Sequence, residues 1–334
     1  MGFVANYLRN LPAVLAGAQP TRPLLFSWYV THRCALSCEY CCDGEGRPFK
    51  DLGSRELSVP EAERLLRLLR READTLDITG GEPLVREDLE ELLGTAKRLG
   101  FRIALNTKGI GLPDRAELLR TCDVVALSVD SLDPSRLAKI IGKPQEVAEK
   151  VLKALDFCLA HRERLGFKLV LAAVAMPGNL DDVEAVVSLA QKHRLGLHLS
   201  PQIVGTAVHS ELRSHPGWAR LAQRLVEIKK SGLEVLGVPE YVAGIRDLAR
   251  YRCMPLLMPT LRPDGRACYP CLDFVKAEVD VVEAGGWGPA LERARQQAGP
   301  IPDCGDRCQI FCHMAPSLLQ QHPLSALGEL RHWS

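Results

Sequence analysis

Short β-rich runs alternate with amphipathic helical stretches through the first two-thirds of the chain. This alternation limits the fold more than any other feature. The candidate strands are Leu24–Val30, Thr75–Thr79, Arg102–Asn106, Asp123–Val129, Lys168–Val174 and Gly196–Ser200. Between them lie helical signals: Ser58-Val59-Pro60-Glu61 reads as a capping box. Val85, Leu89, Leu92, Leu93, Ala96 and Leu99 share one helical face, stopped by Gly100. Leu180, Val183, Val187 and Ala190 form another. Strand–helix alternation implies a parallel sheet with right-handed crossovers. Six units are fewer than the eight of a closed barrel, so an open or partial (β/α)6 barrel is expected.

Two flanking regions differ. Phe3, Tyr7, Leu8, Leu11, Val14 and Leu15 have helical spacing, read as a helix packed on the body, with a lipid-facing surface as the minor option. Beyond Gly237 the alternation fades, Gly and Pro become frequent, and cysteines return. The expected division is therefore an N-terminal helical segment (1–22), the barrel (23–236) and a loop-rich, cysteine-rich domain (237–334).

The charge balance of 42 basic against 41 acidic residues gives +1, no global reason to bind nucleic acid. The longest apolar stretch, Leu169–Met176, is too short to span a bilayer, and no secretory signal opens the chain. A cytoplasmic location follows as the expectation, and there thiols stay reduced. The twelve cysteines then call for metal rather than disulfides. Cys122 and Cys158 are isolated in apolar surroundings and read as inert buried thiols.

Cys34-Ala35-Leu36-Ser37-Cys38-Glu39-Tyr40-Cys41 follows the first strand. Three thiolates on one short loop can hold one side of an iron–sulfur cube and leave the fourth iron open. Zinc remains an alternative, with Cys42 or a remote histidine as fourth ligand. Thr79-Gly80-Gly81-Glu82-Pro83 follows the second strand; its glycines let the backbone approach a ligand, and Glu82 offers an anion to an ammonium group. Both sit at carboxyl ends of strands, where α/β folds build their sites.

The C-x3-C-x2-C loop with Tyr40 before its last cysteine, one βα unit ahead of Gly80-Gly81-Glu82-Pro83, resembles the radical S-adenosylmethionine (SAM) superfamily. That resemblance implies a [4Fe–4S] cluster on Cys34, Cys38 and Cys41. It also implies SAM chelated by the open iron, with Tyr40 near the adenine and Gly80–Pro83 at the amino group. The ends of the next strands, Asn106 and Ser128-Val129-Asp130, often touch SAM's ribose or carboxylate in that family; helix capping or loop hydrogen bonding is the other reading. The implied reaction is reductive cleavage of SAM to a 5′-deoxyadenosyl radical that takes hydrogen from a substrate. A reductant such as flavodoxin or ferredoxin is the implied partner.

Cys253, Cys268, Cys271, Cys304, Cys308 and Cys312 suggest a second metal site. With Pro263-Asp264-Gly265 they resemble the SPASM or twitch extensions that hold auxiliary clusters. The full SPASM pattern has seven cysteines and a Gly-x4-Cys spacing, and this chain departs from both. One auxiliary [4Fe–4S] cluster is expected, with Cys253, Cys271, Cys308 and Cys312 as the chosen four. Zinc is the alternative, and His313 could replace a thiolate. The substrate, whether peptide, lipid or another small molecule, is not legible. A non-catalytic iron–sulfur or zinc protein is the competing class, and the Gly80–Pro83 turn argues against it.

Overall fold

The structure, a computed structural model, describes residues 2–42, 46–53, 55–304 and 308–330. Six strands, β1 (Phe26–Tyr29), β2 (Thr75–Thr79), β3 (Arg102–Thr107), β4 (Val124–Ser128), β5 (Lys168–Ala175) and β6 (Gly196–Pro201), lie side by side in sequence order. All five neighbouring pairs are parallel. This is the expected partial (β/α)6 barrel. Alternation within the strands sets its two layers: Ile78, Leu105, Val125, Leu127 and Leu171 are fully buried on the helix side. Asp77, Ala104, Asn106, Val124 and His198, on the other face, stay half-exposed.

The helical signals correspond to real elements with shorter cores. Helix Val59–Leu69 begins at Ser58, whose backbone N–H donates to Glu61 at 2.9 Å. Helix Leu89–Arg98 buries Leu89, Leu92, Leu93 and Ala96. Val85 falls outside it because Pro83–Val85 is a separate 3-10 turn. Gly100, at φ +84°, supplies the left-handed residue that ends the helix. Helix Leu180–His193 buries Leu180, Val183, Val187 and Ala190.

A small hairpin, β7 (Ile203–Val204) with β8 (Ala207–Val208), leaves β6. The C-terminal region that follows does not stand apart as the composition shift suggests. β9 (Thr260–Leu261) pairs in parallel with β1, and β10 (Arg266–Tyr269) and β11 (Ala277–Asp280) follow antiparallel, giving the order β11-β10-β9-β1-β2-β3-β4-β5-β6. Helix Phe311–Gln321 then returns to the barrel. Its last turn meets the N-terminal helix Phe3–Leu15, where the Gln320 amide donates to Tyr7 O at 3.1 Å. That N-terminal helix buries Phe3, Tyr7 and Val14 but exposes Leu8 and Leu15. Among the described residues no helix is long and apolar enough to cross a membrane.

Arg86 fixes the upper rim. Its side chain is 1% exposed; it donates to Val30 O and Leu57 O, each at 2.9 Å, and pairs with Asp88 at 2.7 Å. Removing it strands two carbonyls and one carboxylate. Arg86→Met is expected to cost about 3 kcal/mol of unfolding free energy, read from denaturant midpoints.

Candidate functional site

The cysteine loop and the Gly-Gly-Glu-Pro turn are built against each other. Gly81 N donates to Thr31 O at 2.8 Å and Glu82 N to Arg33 O at 2.9 Å, a short ladder beyond the ends of β1 and β2. A Cβ on Gly80 would lie 2.2 Å from Thr31 O, and one on Gly81 would lie 2.3 Å from Arg33 O. The glycines therefore admit the backbone that leads into Cys34. Sequence reading assigned that freedom to a ligand; the neighbour that demands it is the protein's own chain.

The rest of the loop leans on the helix Pro134–Ile140. Ser37 N donates to Ile141 O at 3.0 Å and Glu39 N to Ile140 O at 3.3 Å. Gly142, at φ +61°, is needed because a Cβ there would reach 2.7 Å from Ser37 O. So placed, Cys34, Cys38 and Cys41 are half-buried and share one neighbourhood. Burial raises all three thiols; Cys41 is pushed up to about 12, first by burial and then by Cys38, Cys34 and Cys42. Thiolates this close repel one another, and a bound cationic metal centre resolves both the repulsion and the desolvation. The donor set therefore fits an iron–sulfur cluster.

Glu82 is 5% exposed. It accepts from the Thr107 hydroxyl at 2.5 Å, Lys108 N at 2.8 Å and Leu84 N at 3.1 Å, and burial raises its carboxyl against these bonds. It thus ties the end of β2 to the end of β3. A carboxylate has about four acceptor sites, so one remains for a further donor. Pro83 is buried and starts the 3-10 turn.

Tyr40 and Asp130 meet directly. The phenol donates to Asp130 at 2.7 Å; Lys108 donates to the Tyr40 oxygen at 2.9 Å and pairs with Asp130. The second Asp130 oxygen accepts from Val174 N at 3.0 Å. Burial would lower the Lys108 ammonium, but Asp130, Cys38 and Glu82 hold it up. Sequence reading named Tyr40 and Asp130 separately and gave Lys108 no role; nothing along the chain signals that residues 40, 108 and 130 converge. Asn106 lies deeper. Its amide donates to Asp77 at 2.5 Å, and Asp77 also accepts from Ser27 at 2.9 Å. Ser128 is half-buried at the end of β4.

At the C-terminal site, Cys253, Cys271, Cys304 and Cys308 come together. The Cys253 thiol is raised by its hydrogen bond with Cys304, by burial, and by the proximity of Cys304, Cys308 and Cys271. Cys271 also lies within 4.8 Å of Asp273 and His313 atoms that could bind a metal, and His313 Nε2 meets Asp273 at 2.8 Å. One of the chosen four, Cys312, falls outside this group, and so does Cys268 among the six candidates. Cys312 lines the barrel cavity with Phe311 and His198. Cys268 sits on β10 beside Arg262 and Glu278, its thiol pushed up to about 12 mainly by burial. The helix starting at Phe311 explains the first: Cys308 lies before it, and Cys312 is on the face turned to the barrel. Cys122 and Cys158 are buried thiols pushed up to about 12 by desolvation.

Residues 28–190 match the Radical SAM superfamily by sequence. These residues are a radical SAM domain. Two sequence relatives support the match. A GTP 3′,8-cyclase of Aquifex aeolicus (strain VF5) is 32% identical over 174 residues, 49% of this chain and 51% of that protein. A probable GTP 3′,8-cyclase of Methanosarcina acetivorans is 38% identical over 134 residues, 38% and 39% of the two chains. The chain thus spans about half or less of these relatives. By fold, it is similar to Streptococcus suis SuiB bound to S-adenosylmethionine, with a TM-score of 0.60 and 16% identity over 84% of this chain and 68% of that one. It is also similar to native anSMEcpe with bound AdoMet, with a TM-score of 0.58 and 16% identity over 82% of this chain and 80% of that one. A [4Fe–4S] cluster and SAM are the cofactors of this superfamily, and the three-thiol loop suits them.

Two predictions arise. Gly81→Ala forces the ladder apart and is expected to lower the iron retained at the Cys34–Cys41 loop after reconstitution, measured as iron per chain. His198 and His32 are both lowered to about 4, chiefly by burial. The unfolded chain protonates them near pH 6.5. Their contribution to stability is therefore full above pH 6.5 and falls as pH drops toward 4. His198→Gln should flatten that fall, seen in urea titrations across this window.

Proposed function

We propose that this protein is a radical SAM enzyme with an auxiliary metal centre, acting on a substrate held in the barrel. The observation that carries the reading is the ladder joining Gly80–Glu82 to Thr31–Arg33. It holds the Glu82 turn against the loop that carries Cys34, Cys38 and Cys41, which supports one shared site for cluster and SAM. In this reading Cys34, Cys38 and Cys41 hold the [4Fe–4S] cluster. When bound, the cluster supplies the electron that splits SAM into methionine and a 5′-deoxyadenosyl radical, which takes hydrogen from substrate.

The chain's own residues orient and shield. Glu82 takes the SAM ammonium through its free acceptor site, and Gly80, Gly81 and Pro83 set the turn that aims it. Tyr40 is locked by Asp130 and Lys108, so its ring face is fixed for stacking. Lys108 holds positive charge within reach of Cys38, balancing the thiolates. Ser128 stands at the end of β4, toward ribose or carboxylate in this reading, whereas Asn106 is tied to Asp77 and lines the cavity. The cavity walls exclude water from a reactive intermediate.

The C-terminal site is read as an auxiliary [4Fe–4S] cluster on Cys253, Cys271, Cys304 and Cys308, replacing Cys312 of the sequence-based set with Cys304. Four thiols also suit zinc, and iron analysis separates the two. The segments 1–22, 23–236 and 237–334 then serve as brace, catalytic barrel and metal-bearing cover. A flavodoxin or ferredoxin is the fitting electron donor, and the cytoplasm the fitting compartment for so many free thiols. An electron carrier without catalysis would have no use for a lumen behind the cysteine loop.

Peptide maturation and small-molecule modification are the two substrate readings. SuiB has been solved bound to its precursor peptide SuiA, and the sequence relatives are named for GTP. The cavity here is lined by two permanent cations, Arg102 and Lys168, against the acids Asp77, Asp123, Glu234 and Glu329. Lys168 is paired with Glu234. Asp123 is paired with Lys97 and Glu329 with Lys229, so the lining offers a triphosphate no cluster of cations among the described residues and favours an uncharged substrate.

Two measurements test the proposal. Cys34→Ala should abolish 5′-deoxyadenosine formation under reduction while circular dichroism stays native; retained cleavage would sink it. Cys304→Ala should lose one cluster's worth of iron, and Cys312→Ala should keep it. The reverse pattern would restore Cys312 as a ligand.

A further inference from the structure

A barrel interior is ordinarily filled by layers of bulky branched side chains. Here it is not. A cavity of about 270 Å³ runs along the inner face of the sheet. Two adjacent inward positions are alanines: Ala104 lies between Asp77 and Val124 in register, and Ala126 lies between Asn106 and Val170. Ala315 and Pro316, on the helix that closes the open side, line the same space. Truncated side chains on three walls leave the room.

The cavity is polarised. Along β4 and β5, Val124, Ala126 and Val170 form an apolar stretch with Ala315 and Leu319 of the helix, bounded by the charged Asp123 and Lys168 where these strands begin. A second polar group lies on β2, β3 and β6, where the Asn106 amide donates to Asp77 and His198 lines the same cavity, its ring 4.1 Å from Phe311. Tyr29 connects that polar end to the cysteine loop: it lines the cavity, and its ring is tilted against Phe49, 5.4 Å away. At about 30 Å³ per water, the space equals roughly nine waters, or on the order of ten heavy atoms. Asp123, Glu234 and Glu329 are paired with Lys97, Lys168 and Lys229, but Asp77 is held by the neutral donors Ser27 and Asn106; a carboxylate or phosphate head beside it is repelled, whereas Asp77, Asn106 and His198 can hydrogen-bond a hydroxyl or amide.

Resting on the radical reading above, we infer that the substrate is a small lipid-like molecule. Its apolar body of about ten carbons lies between the β4–β5 wall and helix Phe311–Gln321, and its neutral hydroxyl or amide head is held by Asp77, Asn106 and His198. The peptide reading is the competitor, since a peptide brings many backbone polar groups that an apolar wall leaves unpaired.

The test uses the anaerobically reconstituted protein and 1-naphthylamine, a neutral fluorophore of the size of the proposed ligand whose emission shifts in apolar sites. Wild type is expected to bind it, and geraniol or 1-decanol to displace it at least tenfold more effectively than decanoate. Ala126→Leu and Ala104→Leu, each checked for a native circular dichroism spectrum, should each weaken probe binding at least tenfold. Equal displacement by decanoate, or unchanged binding in both folded variants, overturns the assignment. The two readings fail separately. Wild-type protein that makes no 5′-deoxyadenosine under reduction defeats the radical reading while displacement still reports on the cavity, and absent displacement with intact SAM cleavage defeats only the substrate class.

Discussion

Two backbone hydrogen bonds, from Gly81 to Thr31 and from Glu82 to Arg33, hold together everything this protein is built to do. They extend β1 and β2 past the ends of their side-chain-filled segments and stop the cysteine loop from folding away from the sheet. The ladder exists only because positions 80 and 81 have no side chain, since any Cβ would meet a carbonyl oxygen at little more than 2 Å. From there the ties run outward. Glu82 joins β2 to β3 through Thr107 and Lys108, and Asp130 joins the cysteine loop, β3 and β5 through Tyr40, Lys108 and Val174. Each buried carboxylate is offset by several donors, as low-dielectric surroundings require. The rim is a polar net hung from strand ends, and its rigidity is what fixed positioning of a reactive cofactor needs.

Much of this was legible before any coordinates. Strand boundaries were readable to within a residue or two because parallel strands buried on one face and lumen-lining on the other carry β-branched and apolar runs bounded by Gly, Asn and Asp. The cysteine loop and the Gly-Gly-Glu-Pro turn were readable because local spacing alone carries their chemistry. Convergence was not readable. Lys108 looks like an ordinary loop lysine until folding puts it against Tyr40 and Asp130, and Asp77 and His198 look like unremarkable strand residues until the barrel curls them inward. The same limit applied to the C-terminal cysteines. Spacing could not say that Cys304 would approach Cys253, or that one helical turn would swing Cys312 into the lumen. The composition shift after Gly237 suggested a separate domain, but strand pairing there depends on an edge donated by residues far earlier in the chain.

The apolar stretch of the lumen and the ion-paired acids of its lining belong together. In the proposed reaction a radical generated at the rim would have to meet its target without meeting water, and small residues on the inner wall give space without adding hydration sites. Tyr29 lines the lumen with Cys312 and tilts against Phe49; burial first, then Cys312, Asp273 and Cys41, holds its phenol well above the ordinary range. A neutral aromatic there adds no further charge beside those thiols.

The parallel pairing of Thr260–Leu261 with β1 has a consequence for biosynthesis. During translation β1 emerges long before β9, the strand that covers its outer edge and that appears only after β2 to β6 have been made. Until then a row of unpaired amides and carbonyls is open to strangers, the situation in which nascent sheets recruit other chains. The finished protein therefore depends on its last third to seal its first strand, and an incomplete chain would carry an adhesive border beside its cysteines.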